Sequence, residues 1–193
     1  MRFLSLVLST LLVAALQAIP AHAVEFEGVK FDDTIKLAGK DLLLNGTGLR
    51  TRFGFRVYAA GLYVPEKRNN AAELIAQKGP RRIELHMLRT VSAPDISESF
   101  LRALENNHTP AQIAALKERI TRLEENLVSV GEMKKGDAVV FEYLPESGTQ
   151  LLVNGARKGA AIPGEDFIAA LLRIWLGDKP ADKDLKKGWL GEM

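Results

Sequence analysis

In the first half of the chain apolar residues alternate with polar ones, the period of two that a strand with one buried face imposes. Val24 and Phe26, then Val29 and Phe31, keep that alternation with a step at Gly28, which predicts a strand carrying a bulge. Residues 35–37 and 41–45 are further short strands, each followed by a glycine-containing turn. Residues 53–64 are rich in aromatic and β-branched side chains and end at Pro65, which predicts one long strand. A short helix near 71–77 precedes residues 82–91, where Ile83, Leu85 and Met87 alternate with Glu84 and His86 in a half-buried strand.

The period then changes. Ser92-Ala93-Pro94-Asp95 opens a helix that runs toward Asn106. Thr109-Pro110-Ala111-Gln112 opens another, with threonine as N-cap, proline at the first helical position and glutamine at the third. Behind it Ile113, Leu116, Ile120, Leu123 and Leu127 recur at spacings of three and four, on one helix face. After a turn at 134–137, residues 138–143 and 149–153 read as strands, and Asn154-Gly155 is the strongest hairpin signal in the chain. Residues 166–176 form an apolar helix stopped by Gly177, and 182–187 a short last one before Gly188. Strands, helices, strands and helices in that order predict one α+β domain, a large antiparallel sheet with helices gathered on one face.

Residues 1–23 stand apart. Met1-Arg2 gives a positive start, an apolar stretch runs from Phe3 to about Leu16, and Ala21-His22-Ala23 supplies small residues where a signal peptidase reads them. The stretch falls short of the roughly 20 apolar residues that span a bilayer, so cleavage before Val24 and an exported, periplasmic domain over 24–193 are expected, with no stable membrane anchor. No cysteine occurs among the 193 residues, which excludes disulfide frameworks, thiolate metal sites and cysteine nucleophiles. A formal charge of +2 argues against a nucleic-acid partner, and 47% hydrophobic residues argue against disorder.

Most catalytic signatures are missing. Residues 46–51 lack the third glycine of a dinucleotide loop, and Asp137 stands where a phosphate loop needs lysine. His86 reads as a hydrogen-bonded structural histidine on its strand and His108 as an exposed turn residue, so neither marks a metal site, and no cofactor is implied. The carboxylates of Glu98, Glu124 and Glu125 read as solvated helix-face residues. One constellation remains: Arg50, Arg52 and Arg56 fall within seven residues, just after Gly46 and Gly48, which would let the backbone turn tightly. Period two sets Arg50, Arg52, Arg56 and Tyr58 on one side of an unbroken strand, an arrangement that a hairpin near Gly54 would reset. An inward arginine beside a tyrosine in an apolar pocket suits a carboxylate or an enolate oxygen; arginines snorkelling at a sheet edge over core tyrosines are the other reading.

Gly46-Thr47-Gly48-Leu49-Arg50, then residues 55–63 (Phe-Arg-Val-Tyr-Ala-Ala-Gly-Leu-Tyr), then Trp175-Leu176-Gly177-Asp178 and Asp184-Leu185-Lys186-Lys187-Gly188 resemble the chalcone isomerase family, in its bacterial exported branch. The resemblance implies an open-faced β-sandwich, with a ligand cleft between a large antiparallel sheet and its helices. In the plant enzymes of that family the cleft closes a chalcone into a flavanone by attack of a phenolate on an enone. An arginine holds the anion, and tyrosine, threonine and water polarise the ketone. On that resemblance Arg50 matches the arginine, Tyr58 stands for a threonine, Phe100 for the tyrosine and Ile174 for a second threonine, while Asn107 matches an asparagine that touches substrate. Donors worth roughly 3 kcal/mol of barrier each are thereby replaced, so efficient chalcone cyclisation is not expected. The pair Arg50 and Tyr58 is instead similar to that of the non-catalytic fatty-acid-binding members. It implies a small apolar anion, a fatty acid or related carboxylate, bound by Arg50, Tyr58, Phe100, Asn107 and Ile174; Tyr63 is taken as a core residue. An isomerase acting on an unidentified enone, and an interaction module using the helix at 109–130, stay open as alternatives.

Overall fold

The computed structural model describes residues 23–192, so the export signal expected over 1–23 lies, apart from Ala23, outside the described residues. Eleven strands and five helices follow in the order β1 (Ala23–Phe26), β2 (Val29–Asp32), β3 (Thr34–Leu37), β4 (Lys40–Arg52), β5 (Phe55–Val64), α1 (Ala71–Ala76), β6 (Arg81–Met87), β7 (Val91–Ser92), α2 (Ala93–Asn106), α3 (Pro110–Val128), β8 (Glu132–Met133), β9 (Ala138–Leu144), β10 (Gly148–Val153), β11 (Ala156–Ile162), α4 (Glu165–Leu176) and α5 (Lys183–Trp189). Seven strands make one antiparallel sheet in the order β11-β10-β9-β6-β5-β4-β3, while β1 pairs with β2 and β7 with β8.

The sheet divides two cores. Tyr58, Ala60, Leu62 and Val64 of β5 point with Ile83, Leu85 and Met87 of β6 into a large core completed by side chains from all five helices. On the opposite face Ala59 and Tyr63 join Leu42, Leu44 and Phe31 in a smaller core closed by the β1–β2 hairpin. The α3 stripe lies in the large core, with Leu116, Ile120, Leu123 and Leu127 buried and Ile113 at its margin. Thr109 accepts from Gln112 N–H while the Gln112 side chain accepts from Thr109 N–H, so the expected capping box is formed. No helix among the described residues is long and apolar enough to cross a membrane.

Several local expectations are corrected. Gly28 is not a bulge: Glu27 and Gly28 (φ 57° and 76°) form a two-residue turn that folds 23–32 into a hairpin. Ala38-Gly39, Phe53-Gly54 and Asn154-Gly155 have the same pair of positive φ values, so the long strand starts at Phe55 rather than at residue 53. Gly46 and Gly48 do not turn the chain; they lie within continuous β4, where α5 crosses it. A Cβ at Gly48 would stand 2.7 Å from Leu185 Cα, and one at Gly46 3.0 Å from Trp189 Cα. Asn154-Gly155 announces the hairpin, but the extent of its second strand, β11, is unmarked in the sequence, because Ala156–Ile162 is a mostly exposed edge without apolar alternation.

Candidate functional site

Two irregularities between β4 and β5 arrange the arginine-rich stretch. Arg50 pairs with Tyr58 but Thr51 pairs with Arg56, leaving Val57 as an extra residue. Val57 and Tyr58 consequently both face the helices, and Arg56 is turned to the other side, where it forms an ion pair with Glu27 of the β1–β2 turn. Arg50 and Tyr58 are therefore direct cross-strand neighbours, and Arg56 does not share their face.

Between sheet and helices lies a cleft of about 350 Å³. Val57, Tyr58, Leu85, Met87 and Val139 line its sheet side; Ile96, Ser99 and Phe100 of α2, Leu127 of α3 and Ile174 of α4 line its helix side. Arg50, Arg52, Phe53 and the segment 89–92 border it, together with Ala181 and Asp95. The lining is apolar over most of its depth, with charge along its border.

Arg50 is mostly shielded, its side chain retaining 18% exposure. Its Nη1 donates to the carbonyls of Ala181 and Thr51, and Asp182 Oδ2 lies 3.8 Å away. No acceptor among the described residues meets its Nε or Nη2 hydrogens, the edge that a carboxylate engages in bidentate fashion. Asp182 also accepts from Thr51 N–H and Oγ1–H and caps α5 through the N–H groups of Asp184 and Leu185. Burial pushes its carboxyl up, and these donors outweigh burial and hold it below the ordinary carboxylate range.

Tyr58 is buried, and its hydroxyl oxygen accepts from Trp175 Nε1 at 2.9 Å. The phenolic hydrogen has no acceptor among the described residues and is free to donate. Burial raises its pKa to about 12, against smaller lowering effects of the Trp175 bond and the Arg50 charge, so the phenol is neutral at physiological pH. Phe100 packs against Phe141 and edge-on to Trp175 with centroids 5.6 Å apart, which fixes the α2 wall.

Four of the five residues expected to touch a ligand thus border one cleft: Arg50, Tyr58, Phe100 and Ile174. Asn107 does not. It ends α2, donates to Ala103 O and Lys179 O, and accepts from Lys179 N–H, holding the segment after α4 in place. His108 is half-buried rather than exposed, its Nδ1 against Leu104 O; burial, and then the nearby Arg173 charge, lower its pKa despite that bond. His86 pairs with Glu84 at 2.8 Å on the sheet face away from the cleft, edge-on to Phe31. Sequence reasoning misses Arg89, Thr90 and Ser99 as lining residues; only the placement of the turn after β6 and of α2 brings them there. No group of three metal-ligating side chains is close enough to hold an ion among the described residues.

A large antiparallel sheet with helices over one face and a lined cleft between them is the architecture of an open-faced β-sandwich with an internal cleft. The family model described as chalcone isomerase-like matches residues 23–191, and the chain belongs to that family. No curated protein matches it in sequence. Among solved structures it is similar to a fatty-acid binding protein of Arabidopsis thaliana, with a TM-score of 0.68 and 15% identity over 88% of this chain and 96% of that one.

Proposed function

We propose that this protein binds a single-chain apolar carboxylate, a fatty acid or close relative, in the cleft, with the carboxylate held by Arg50 and Tyr58. The observation that carries this reading is the pairing of an apolar lining with two unused donors at adjacent positions: the free guanidinium edge of Arg50 and the phenolic hydrogen of Tyr58. A neutral phenol and a permanent cation suit an anion at any physiological pH. Burial of an acyl chain supplies affinity at about 0.8 kcal/mol per methylene, and the charge-assisted bonds orient it. The cleft lies at the lower end of the roughly 300–1,000 Å³ usual for ligand sites, which favours one chain over a two-chain lipid. The name of the Arabidopsis relative, a fatty-acid binding protein, supports the same reading. We propose further that the domain works after export, a location supported by the signal-like residues 1–23.

Organic extraction and mass spectrometry of the purified protein should yield a co-purifying carboxylic acid. Arg50→Ala should lower fatty-acid affinity roughly 10- to 100-fold, the worth of a charged hydrogen-bond pair. Wild-type protein that yields no acid, binds none by titration and turns over a chalcone faster than the spontaneous reaction would replace this reading with the isomerase.

A further inference from the structure

The turn between β4 and β5 breaks two rules at once. Phe53 occupies a left-handed backbone position (φ 52°), which a bulky aromatic residue rarely adopts and where asparagine or aspartate is favoured. Its ring is also 87% exposed, and Phe55 across the turn is 61% exposed. Conformational strain combined with apolar exposure is costly to the isolated fold, a cost that an apolar contact outside it would offset. Arg52 lies 5.2 Å from the Phe53 ring centroid and Arg89 5.1 Å from that of Phe55, and neither arginine forms an ion pair among the described residues. Lys135, exposed on the neighbouring turn, donates its N–H to Thr90 beside them. The nearby acids are all engaged elsewhere or set back from the tip: Glu27 pairs with Arg56, Asp95 bonds to Ser92, Asp182 accepts from Thr51 and caps α5, Asp137 accepts from Lys134 N–H and Asn154, and Glu132 lies opposite Ser92 on β8.

We propose that this hairpin tip docks the protein on a bilayer bearing anionic headgroups, with Phe53 and Phe55 inserted at the headgroup boundary and Arg52 and Arg89 on the phosphates. A two-residue turn carrying two projecting rings offers too narrow a patch for a stable protein interface, whereas wedge-like aromatics flanked by cations suit an interfacial contact. Arg52, Phe53 and Arg89 also border the cleft, so a bound apolar chain would pass between cleft and lipid without crossing water. This transfer step rests on the proposed fatty-acid ligand; the docking itself does not.

Both cores are built from side chains between Phe26 and Leu190, so residues 24–193 are the appropriate chain for vesicle flotation, free of the apolar leader. That chain should float with vesicles containing phosphatidylglycerol and not with pure phosphatidylcholine, and added salt should release it. Phe53→Asn, which suits the turn geometry and keeps the fold, should lower the partition coefficient roughly tenfold or more. Phe55→Ser should slow transfer of a fluorescent fatty acid from protein to vesicles while its equilibrium affinity for that acid in solution stays unchanged. Equal flotation of wild type and Phe53→Asn, or none by either, would overturn the docking. Docking without fatty-acid binding in solution would overturn the ligand reading and the transfer step alone.

Discussion

Tyr58 and Asp182 bracket Arg50, and their opposite titrations should be separable. Tyr58 has a folded-state pKa above its ordinary 10.0, so the unfolded chain gives up this proton first. The stability it contributes is complete below about pH 10 and falls as pH rises toward about 12. Tyr58→Phe should flatten the alkaline loss in urea unfolding followed across that window; Tyr63, whose pKa burial also raises, should leave a residual slope. Asp182 has a depressed pKa, so its contribution is present above the ordinary 3.8 and is lost as pH falls through the lower folded value. Asp182→Asn should therefore be less stable than wild type at neutral pH, with the gap closing in acid. Residue types were enough to single out Arg50 and Tyr58 from the sequence. Their direct pairing, and the removal of Arg56 to the other face, depend on one extra residue at Val57, which no periodicity announces. Asn107 has the composition of a ligand contact, but its amide is consumed by Ala103 and Lys179.

At the scale of elements, the glycines before Arg50 govern how the cleft wall is assembled. A methyl group at Gly48 would meet the α5 backbone at Leu185, which cannot yield as a flexible side chain could. Gly48→Ala should destabilise by about 1–3 kcal/mol and weaken ligand affinity together, read by thermal melting and titration, because α5 carries Asp182 at its N-cap. Gly61 has the same role on the other face, where an added Cβ would lie 2.7 Å from the Phe31 ring. The helices were legible because capping residues and three-four spacings are local signals; Thr109 with Gln112 specifies the start of α3 without reference to anything distant. The hairpin turns were less so. Only Asn154-Gly155 has the usual composition, whereas Glu27, Ala38 and Phe53 take left-handed conformations that their side chains do not advertise.

For the whole molecule, the order of strand and helix patterns indicated an antiparallel sheet with helices on one side, and the structure has that layout. The second core behind the sheet has no such signature, since the alternation over residues 24–31 reads as one bulged strand rather than as the hairpin that covers it. A ligand lodged between the two layers should stabilise both. At a hundredfold excess over its dissociation constant a fatty acid contributes about 2.7 kcal/mol, which for a domain of this length raises the melting temperature by about 5–10 °C. Arg50→Ala should abolish most of that rise at the same concentration.

The clasp between Thr51 and Asp182 joins positions 131 residues apart, and it aligns the cleft's cation only when the last helix docks. A nascent chain halted before that helix could pair its strands, yet it would present no organised anion seat. If the proposed carboxylate is what the cleft takes, its capture reads out completed folding, and partly folded protein should pass fatty acids by.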